Sequence, residues 1–527
     1  MGSAPSRIAE ETKDLMKPAV HPVGRLLGQV WVWPAVVMLA VGGYRLGTPD
    51  LWRDEIATWT VATRSPGDLL RLLQHVDASN GAYYLLMHGW TAVFGDSTVS
   101  LRIPSVLAMA GAAAFVALTA QRLFGNRVAA VGAGLLLAVP PEISRYAQEA
   151  RSYALVTCAI AAASYFLLRA LERPSWRRWA PYCVAMALAG AGHLVSFSTV
   201  AGQVALLALH LWRTRPEADR RLLWQYPLAV AVAALPVLPV VLLGSRQSDR
   251  QLGWIPAPSL RGLAFFGERL FGSEAVFYAF VPLALLALAL PGRRVRAWQA
   301  LMLAELPVVG VWLVSRLSDT SYFLGRYLLF TVPAWAVLAG GGVGAVYGAV
   351  RALARRRGRK PRGAVVAAGL LTVGLLAAPA VAALPEQPAV RYVGSHNGSE
   401  EPFKAAAREI AAGYRSGDGM AAPLGDQSWA MAWPGVSYYL PSDVRPRPVF
   451  VAQSADDAEE LSPTPCPRPA DCLGGASRIW LVVLGDTQDP LGAMPTDQAQ
   501  VLQTQYGAPD RVTPLGGLTV ALLDRDA

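Results

Sequence analysis

The stretch Ala82-Tyr-Tyr-Leu-Leu-Met-His-Gly-Trp-Thr-Ala-Val-Phe94 is thirteen residues long, apolar, and carries His88 near its centre. A helix needs roughly 20 apolar residues to cross about 30 Å of hydrocarbon, because lipid offers unpaired backbone groups no partner. This segment is too short to cross and reads as an interfacial helix lying along the membrane surface. Every later segment changes side according to whether this one crosses, so its length decides the topology.

Working outward, eleven segments read as membrane spans. They run from Leu26 to Leu46, Leu101 to Gln121, Val128 to Pro140, Ser152 to Leu168, Trp179 to Gly190, Leu194 to Trp212, Leu222 to Leu243, Ala275 to Leu290, Trp298 to Ser315, Tyr322 to Val350 and Ala364 to Leu384. With Ala82 to Phe94 left on the surface, 24 Lys and Arg fall in the short loops on one side, against 13 in the longer loops opposite. Cytoplasmic loops are enriched in Lys and Arg, so the N-terminus is expected inside and the C-terminus outside.

Composition agrees with that reading. Of 527 residues, 53% are hydrophobic and only 16% charged, and the mean hydropathy is +0.33. A net charge of +10 would suit a nucleic-acid partner, but the basic residues sit in short clusters between apolar runs, so topology accounts for them and nucleic acid is set aside. The fold class is mainly α: a cytoplasmic N-terminal segment, 1–25, and a polytopic helical membrane domain, 26–384, whose first extracytoplasmic loop is 47–101. The apolar stretch after Arg25 lacks a small-residue cleavage site and reads as an uncleaved first span.

Residues 385–527 are ordinary in polarity. They show a helical pattern at Phe403 to Tyr414, a strand pattern at Arg478 to Gly485 and a hairpin signal through Leu515-Gly-Gly-Leu518, which suggests a small extracytoplasmic α/β domain. Cys158 and Cys183 lie in apolar runs and read as packing, whereas Cys466 and Cys472 could bridge in an oxidising compartment.

The outer loops hold the residues that could do chemistry. The first reads Leu51-Trp-Arg-Asp-Glu-Ile-Ala57, with adjacent carboxylates Asp54 and Glu55 a few residues beyond a span. Desolvation near hydrocarbon would make such a group a usable base, while a solvated helix start is the competing structural reading. The second loop, Arg145-Tyr-Ala-Gln-Glu-Ala-Arg-Ser-Tyr153, is unusually polar, and Glu149 and Arg151 could simply pair with each other. Arg326 enters the apolar run Tyr322 to Phe330 at its outer end, where a cation is costly unless it snorkels or meets an anion such as a lipid phosphate. His193 sits in an outer turn, a place where a lone histidine is more often structural.

Asp54-Glu55, then Asn80-Gly-Ala-Tyr-Tyr-Leu-Leu with Trp90 and Phe94-Gly95, Leu101-Arg-Ile-Pro-Ser105, Tyr146 to Tyr153 and Arg326-Tyr-Leu-Leu form an ordered set. That set resembles the GT-C superfamily of integral membrane glycosyltransferases, and more narrowly the bacterial protein mannosyltransferase and aminoarabinose transferase group, over roughly Leu26 to Leu384. Asn80-Gly81 departs from the Pro-rich stretch of many relatives, which bears on the acceptor more than on the chemistry.

The resemblance implies a sugar donor joined to a polyprenyl monophosphate, with Asp54 as base and Glu55 as second choice or positioning partner. Arg326 would hold the donor phosphate, assisted by Arg151 and Arg53; Glu149, Tyr153, His193 and Tyr327 complete the expected binding set. A stable phosphate leaving group needs a base and a cation but no strong acid, so a single inverting displacement suffices. No cofactor is required, and a divalent ion, Mg or Mn, bridging Asp54 and Glu149 is left open. Mannose is the first expectation for the sugar and an arabinose-type pentose the next. The acceptor would be a protein, lipid or cell-envelope glycan outside the cytoplasmic membrane. The rival readings are a transporter or lipid flippase, disfavoured by the absence of repeated halves, and a non-catalytic envelope-assembly subunit.

Overall fold

The computed structural model describes residues 28–214, 219–289, 294–357, 361–389 and 401–525. The expected N-terminal segment 1–25 lies outside them, as does part of the basic loop 213–221.

Each segment expected to cross contains helix, but among the described residues seven helices are long and apolar enough to span a membrane. The count becomes eight if Arg127–Leu137 and Pro141–Ala147, bent by 68° at the break between them, form one broken span. This measure does not confirm the expected eleven, and the first segment shows why: its helix α1, Val32–Gly43, has 12 residues. At 1.5 Å per residue that is about 18 Å, well short of the hydrocarbon. Glu274–Ala289 is likewise a shorter apolar helix. The chain is a multi-pass membrane protein.

Three short helices follow α1: α2, Arg53–Ala62; α3, Pro66–His75; and α4, Gly81–Phe94. The segment that decides the topology is α4, and its 14 residues reach only about 21 Å. Both of its flanks touch the C-terminal domain. On the N-terminal side Arg71 and His75 of α3 each lie 2.9 Å from Glu459. On the C-terminal side the Tyr438 hydroxyl donates to the Asp96 carbonyl at 2.9 Å. A helix tied at both ends to one small domain does not separate two compartments. Meanwhile α4 buries Tyr83, Tyr84 and Met87 and leaves Leu85, Leu86, Val93 and Phe94 exposed, the pattern of a helix lying in an interface.

The long helix α5, Thr98–Phe124, starts beside this layer and carries Arg122 in its last turn, its 27 residues reaching about 40 Å. There Arg296 donates to the carbonyls of Arg122 and Leu123 at 2.9 and 3.0 Å, gathering basic residues from separate loops at the far end.

The C-terminal part builds a five-stranded sheet in the order β2-β1-β5-β7-β6, with β1 Gly419–Ala421, β2 Arg447–Pro448, β5 Arg478–Leu484, β6 Arg511–Pro514 and β7 Leu518–Asp524. β3, Val451–Gln453, and β4, Thr464–Pro465, pair separately. The helix expected near Phe403 runs Phe403–Gly413, and β6 and β7 form the closing hairpin. Cys466 and Cys472 are disulfide-bonded. One apolar core joins this domain to the first loop: Leu51, Ile56, Leu69 and Tyr84 pack in a single cluster with Phe403, Ile410, Val436, Trp480 and Leu518. The site below therefore sits at a fused layer rather than under a loosely tethered domain.

Candidate functional site

Where the first loop, the ends of the membrane helices and the C-terminal domain meet, the structure encloses a cavity of about 1270 Å³. Arg53, Asp54, Arg151, Tyr153, His193, Arg326 and Tyr327 all line it. Seven of the nine residues singled out from sequence, drawn from positions 53 to 327, thus share one wall.

Asp54 owes its place to helical spacing. Arg53, Asp54 and Ala57 turn one face of α2 to the cavity, while Glu55 and Thr58 turn the other inward. Asp54 is partly exposed and lies 3.9 Å from Arg53. Its backbone carbonyl accepts from the Thr58 hydroxyl at 3.2 Å and from Arg151 at 3.4 Å. Nothing in this arrangement occupies both carboxylate oxygens with a buried partner.

Glu55 is the opposite case and corrects the expectation that it could act on substrate. It is 0% exposed and lies off the cavity wall. Its carboxylate accepts Arg102 Nε at 2.8 Å and Arg102 Nη2 at 2.7 Å, with a further bond from the Ala150 amide at 2.8 Å. The Trp52 amide at the start of α2 reaches it at 3.4 Å. A carboxylate with this many donors has no free lone pair for a reacting hydroxyl. Its work is to tie the start of α2 to α5 and to the loop before Arg151.

Glu149 also lies off the cavity wall. It is 1% exposed, and neither carboxylate oxygen has a hydrogen-bond partner. It does not pair with Arg151. Burial pushes its carboxyl up to about 8; Arg145 opposes that, while Glu55 and Asp54 add to it.

Arg326 has an unpartnered buried Nε and is surrounded by ring faces, with Trp52 at 5.9 Å, Trp254 at 5.5 Å and Tyr327 at 5.6 Å. Rings supply packing and a weak quadrupolar attraction but leave most donors of the guanidinium available to an anion. Tyr327 packs on His193 at 4.4 Å and on Tyr153 at 6.3 Å, forming an aromatic floor. Burial, then Arg151 and Arg326, push His193 down to about 3, so it stands neutral in the wall.

Several further residues line the wall beside those singled out as candidates. Asp77, Ser79 and Asn80 come from the turn before α4, and Trp429, Ser428 and Ser462 from the C-terminal domain. Glu401 is buried beside them; its carboxylate accepts the Arg53 amide at 2.8 Å and sits 3.6 Å from the Arg53 guanidinium. Burial, opposed by Arg53, pushes Glu401 up to about 7. Arg53 also lies 4.9 Å from the Trp429 ring, so it bridges the two domains. The Asp-Ala-Ser-Asn turn composition before α4 was a usable signal. For Trp429 and Glu401 there was none, because their role depends on long-range docking. Among the described residues no three His, Cys, Asp or Glu side chains gather as a metal cage.

A family model of dolichyl-phosphate-mannose-protein mannosyltransferases matches residues 82–243. Among solved structures, ArnT from Cupriavidus metallidurans in the apo state is similar over 93% of this chain and 97% of its own, with a TM-score of 0.57 at 17% identity. The same protein bound to undecaprenyl phosphate matches with a TM-score of 0.57 at 16% identity, over 93% and 97% of the two chains. The archaeal oligosaccharyltransferase AglB from Archaeoglobus fulgidus, in complex with an inhibitory peptide and a dolichol-phosphate, gives 0.53 at 12% identity over 93% of this chain and 74% of that one. No curated protein sequence matches significantly. The likeness to these solved structures shows a shared fold, and the family model adds a match over residues 82–243 of the chain.

Proposed function

We propose that the chain transfers a sugar from a polyprenyl-monophosphate carrier to an acceptor on the extracytoplasmic side of the cytoplasmic membrane. The observation that carries this reading is that one cavity is lined by a partly exposed carboxylate at the start of a helix, Asp54, together with Arg326 and Arg151. The structural likeness to ArnT bound to undecaprenyl phosphate supports a polyprenyl phosphate as the anion.

Asp54 takes the proton of the acceptor hydroxyl as its oxygen attacks the anomeric carbon. The bond from that carbon to the phosphate oxygen breaks, and the electron pair leaves with the polyprenyl phosphate. Arg326, with a buried Nε that has no hydrogen-bond partner and water partly excluded by Trp52, Trp254 and Tyr327, holds the phosphate and stabilises the charge that develops on it. Inversion at the anomeric carbon follows from a single displacement. Mannose and arabinose-type pentoses are the first sugars to test, with protein, lipid and envelope-glycan acceptors.

The clustering of basic residues away from the cavity and the Cys466 to Cys472 bridge beside it both favour an outward-facing site. Titration of purified protein in detergent with undecaprenyl phosphate tests the phosphate site. Arg326→Gln is expected to weaken binding by about 10-fold or more, as loss of a charge-assisted contact does. An unaltered titration rejects the assignment.

A further inference from the structure

Asp77 has no place in the chemistry above, yet it is held in a conformation that ordinary residues avoid. Its φ of 55° and ψ of 32° are left-handed, a region strained for an L-residue unless local bonds compensate, as Asp and Asn side chains can. The turn is fixed from outside as well. Gln247, itself buried, accepts from the Ala78 amide at 2.9 Å and donates to the Leu73 carbonyl at 3.3 Å, gripping both sides of it.

The Asp77 carboxylate accepts from Asn80 Nδ2 at 2.6 Å on one oxygen and from the Tyr84 hydroxyl on the other. Tyr84 is 0% exposed and in turn accepts from Arg151 Nη1 at 3.3 Å. Arg151 is 8% exposed, lines the cavity, and keeps a buried Nε without a hydrogen-bond partner. Donor and acceptor roles run one way along this chain: the guanidinium donates to the phenol oxygen, and the phenol proton goes to the carboxylate. An ionised Asp77 polarises the Tyr84 hydroxyl and makes its oxygen a better acceptor for Arg151.

The geometry points to Asp77 and Tyr84 as positioning residues that hold Arg151 in place as a second cation for the donor phosphate, in the same cavity as Arg326. This inference rests on the donor-phosphate reading above. It assigns the strained turn a purpose: the left-handed backbone at position 77 sets the carboxylate against a tyrosine of the following helix. Arg151 alone, with long torsions and few fixed contacts, would lose rotamer freedom on binding phosphate; the relay removes that freedom beforehand.

The test uses the full-length protein in detergent, with undecaprenyl phosphate and uncharged undecaprenol as probes. Asn tolerates left-handed backbone as well as Asp does, so Asp77→Asn removes charge without adding strain. Tyr84→Phe removes only the hydroxyl. Each is expected to weaken undecaprenyl phosphate binding by about 5- to 10-fold and to leave undecaprenol binding unchanged. Neither should weaken binding further in an Arg151→Gln background. Equal losses for both probes would show a general packing defect and overturn the relay, as would additive losses in the Arg151→Gln background. If Arg151→Gln and Arg326→Gln both bind undecaprenyl phosphate as the unmodified chain does, the donor-phosphate reading itself fails and the inference with it.

Discussion

Arg102 meets Glu55 through two parallel bonds, Nε to Oε1 at 2.8 Å and Nη2 to Oε2 at 2.7 Å, with the two side chains 1% and 0% exposed. The remaining donors of Arg102 reach the carbonyls of Leu46, Pro49 and Asp50 at 2.9 Å each. A buried pair satisfied this fully fixes geometry more than it adds stability, but leaving one partner alone is costly. Replacing Arg102 with Ala is expected to destabilise the protein by about 3 to 5 kcal/mol, read as a large fall in the midpoint of thermal unfolding in detergent. Glu55→Gln should fall in the same direction by less, since the amide keeps one acceptor. A melting curve unchanged by either substitution contradicts the structural role.

Asp54 should behave in the reverse way. It is partly exposed and its carboxylate lies 3.9 Å from the equally exposed Arg53, so Asp54→Asn is expected to unfold within a degree or two of the unmodified chain, surface changes being worth at most about 0.5 kcal/mol. Transfer should nevertheless drop by on the order of 100-fold, the usual contribution of a general base. Substantial unfolding at the growth temperature would reassign Asp54 to the scaffold.

Glu149 gives a prediction in pH. Its carboxyl is pushed up to about 8 in the folded protein, whereas an unfolded chain leaves it near the ordinary value of about 4.3. Between those values the folded state holds a proton that the unfolded state has lost, so stability contributed at this position declines as pH rises through that window. Glu149→Gln cannot ionise and should flatten the decline. Melting midpoints measured at intervals from pH 5 to 8 check this: parallel curves for the two proteins exclude Glu149 as the source.

Topology can be mapped directly. With Cys158 and Cys183 replaced by Ser, lone cysteines at exposed Ser97 or Ser442 should react in intact cells with a membrane-impermeant maleimide, and lone cysteines at exposed Arg177 or Arg355 should not. Labelling of the second pair alone inverts the orientation.

Hydrophobic length and basic clustering made the helices legible, because both are local properties that the bilayer enforces. The thirteen-residue segment around His88 was readable for the same reason. Span number was less so: a helix such as α1 is short in itself, and its ends depend on what it packs against. Within the site, Asp54 and Arg326 stood out as charges in apolar surroundings, a signal that survives without a structure.

Glu55 could not be separated from Asp54, since adjacent residues on a helix point about 100° apart and the sequence does not say which face meets the cavity. The partner that decides it, Arg102, lies 47 positions away. Glu149 was misplaced by the same limit: a polar loop residue beside Arg151 turns inward, away from the wall. The contributions of Glu401 and Trp429 arise only when the C-terminal domain closes over the first loop, a contact spanning more than 300 positions.

The reaction itself is tested most directly by mass spectrometry of envelope glycoconjugates from cells that lack this chain, carrying back either the unmodified gene or Asp54→Asn. The account predicts a species one sugar lighter that the unmodified chain restores and the Asn variant, though present in the membrane in equal amount, does not. Restoration by the Asn variant to the same level would contradict it.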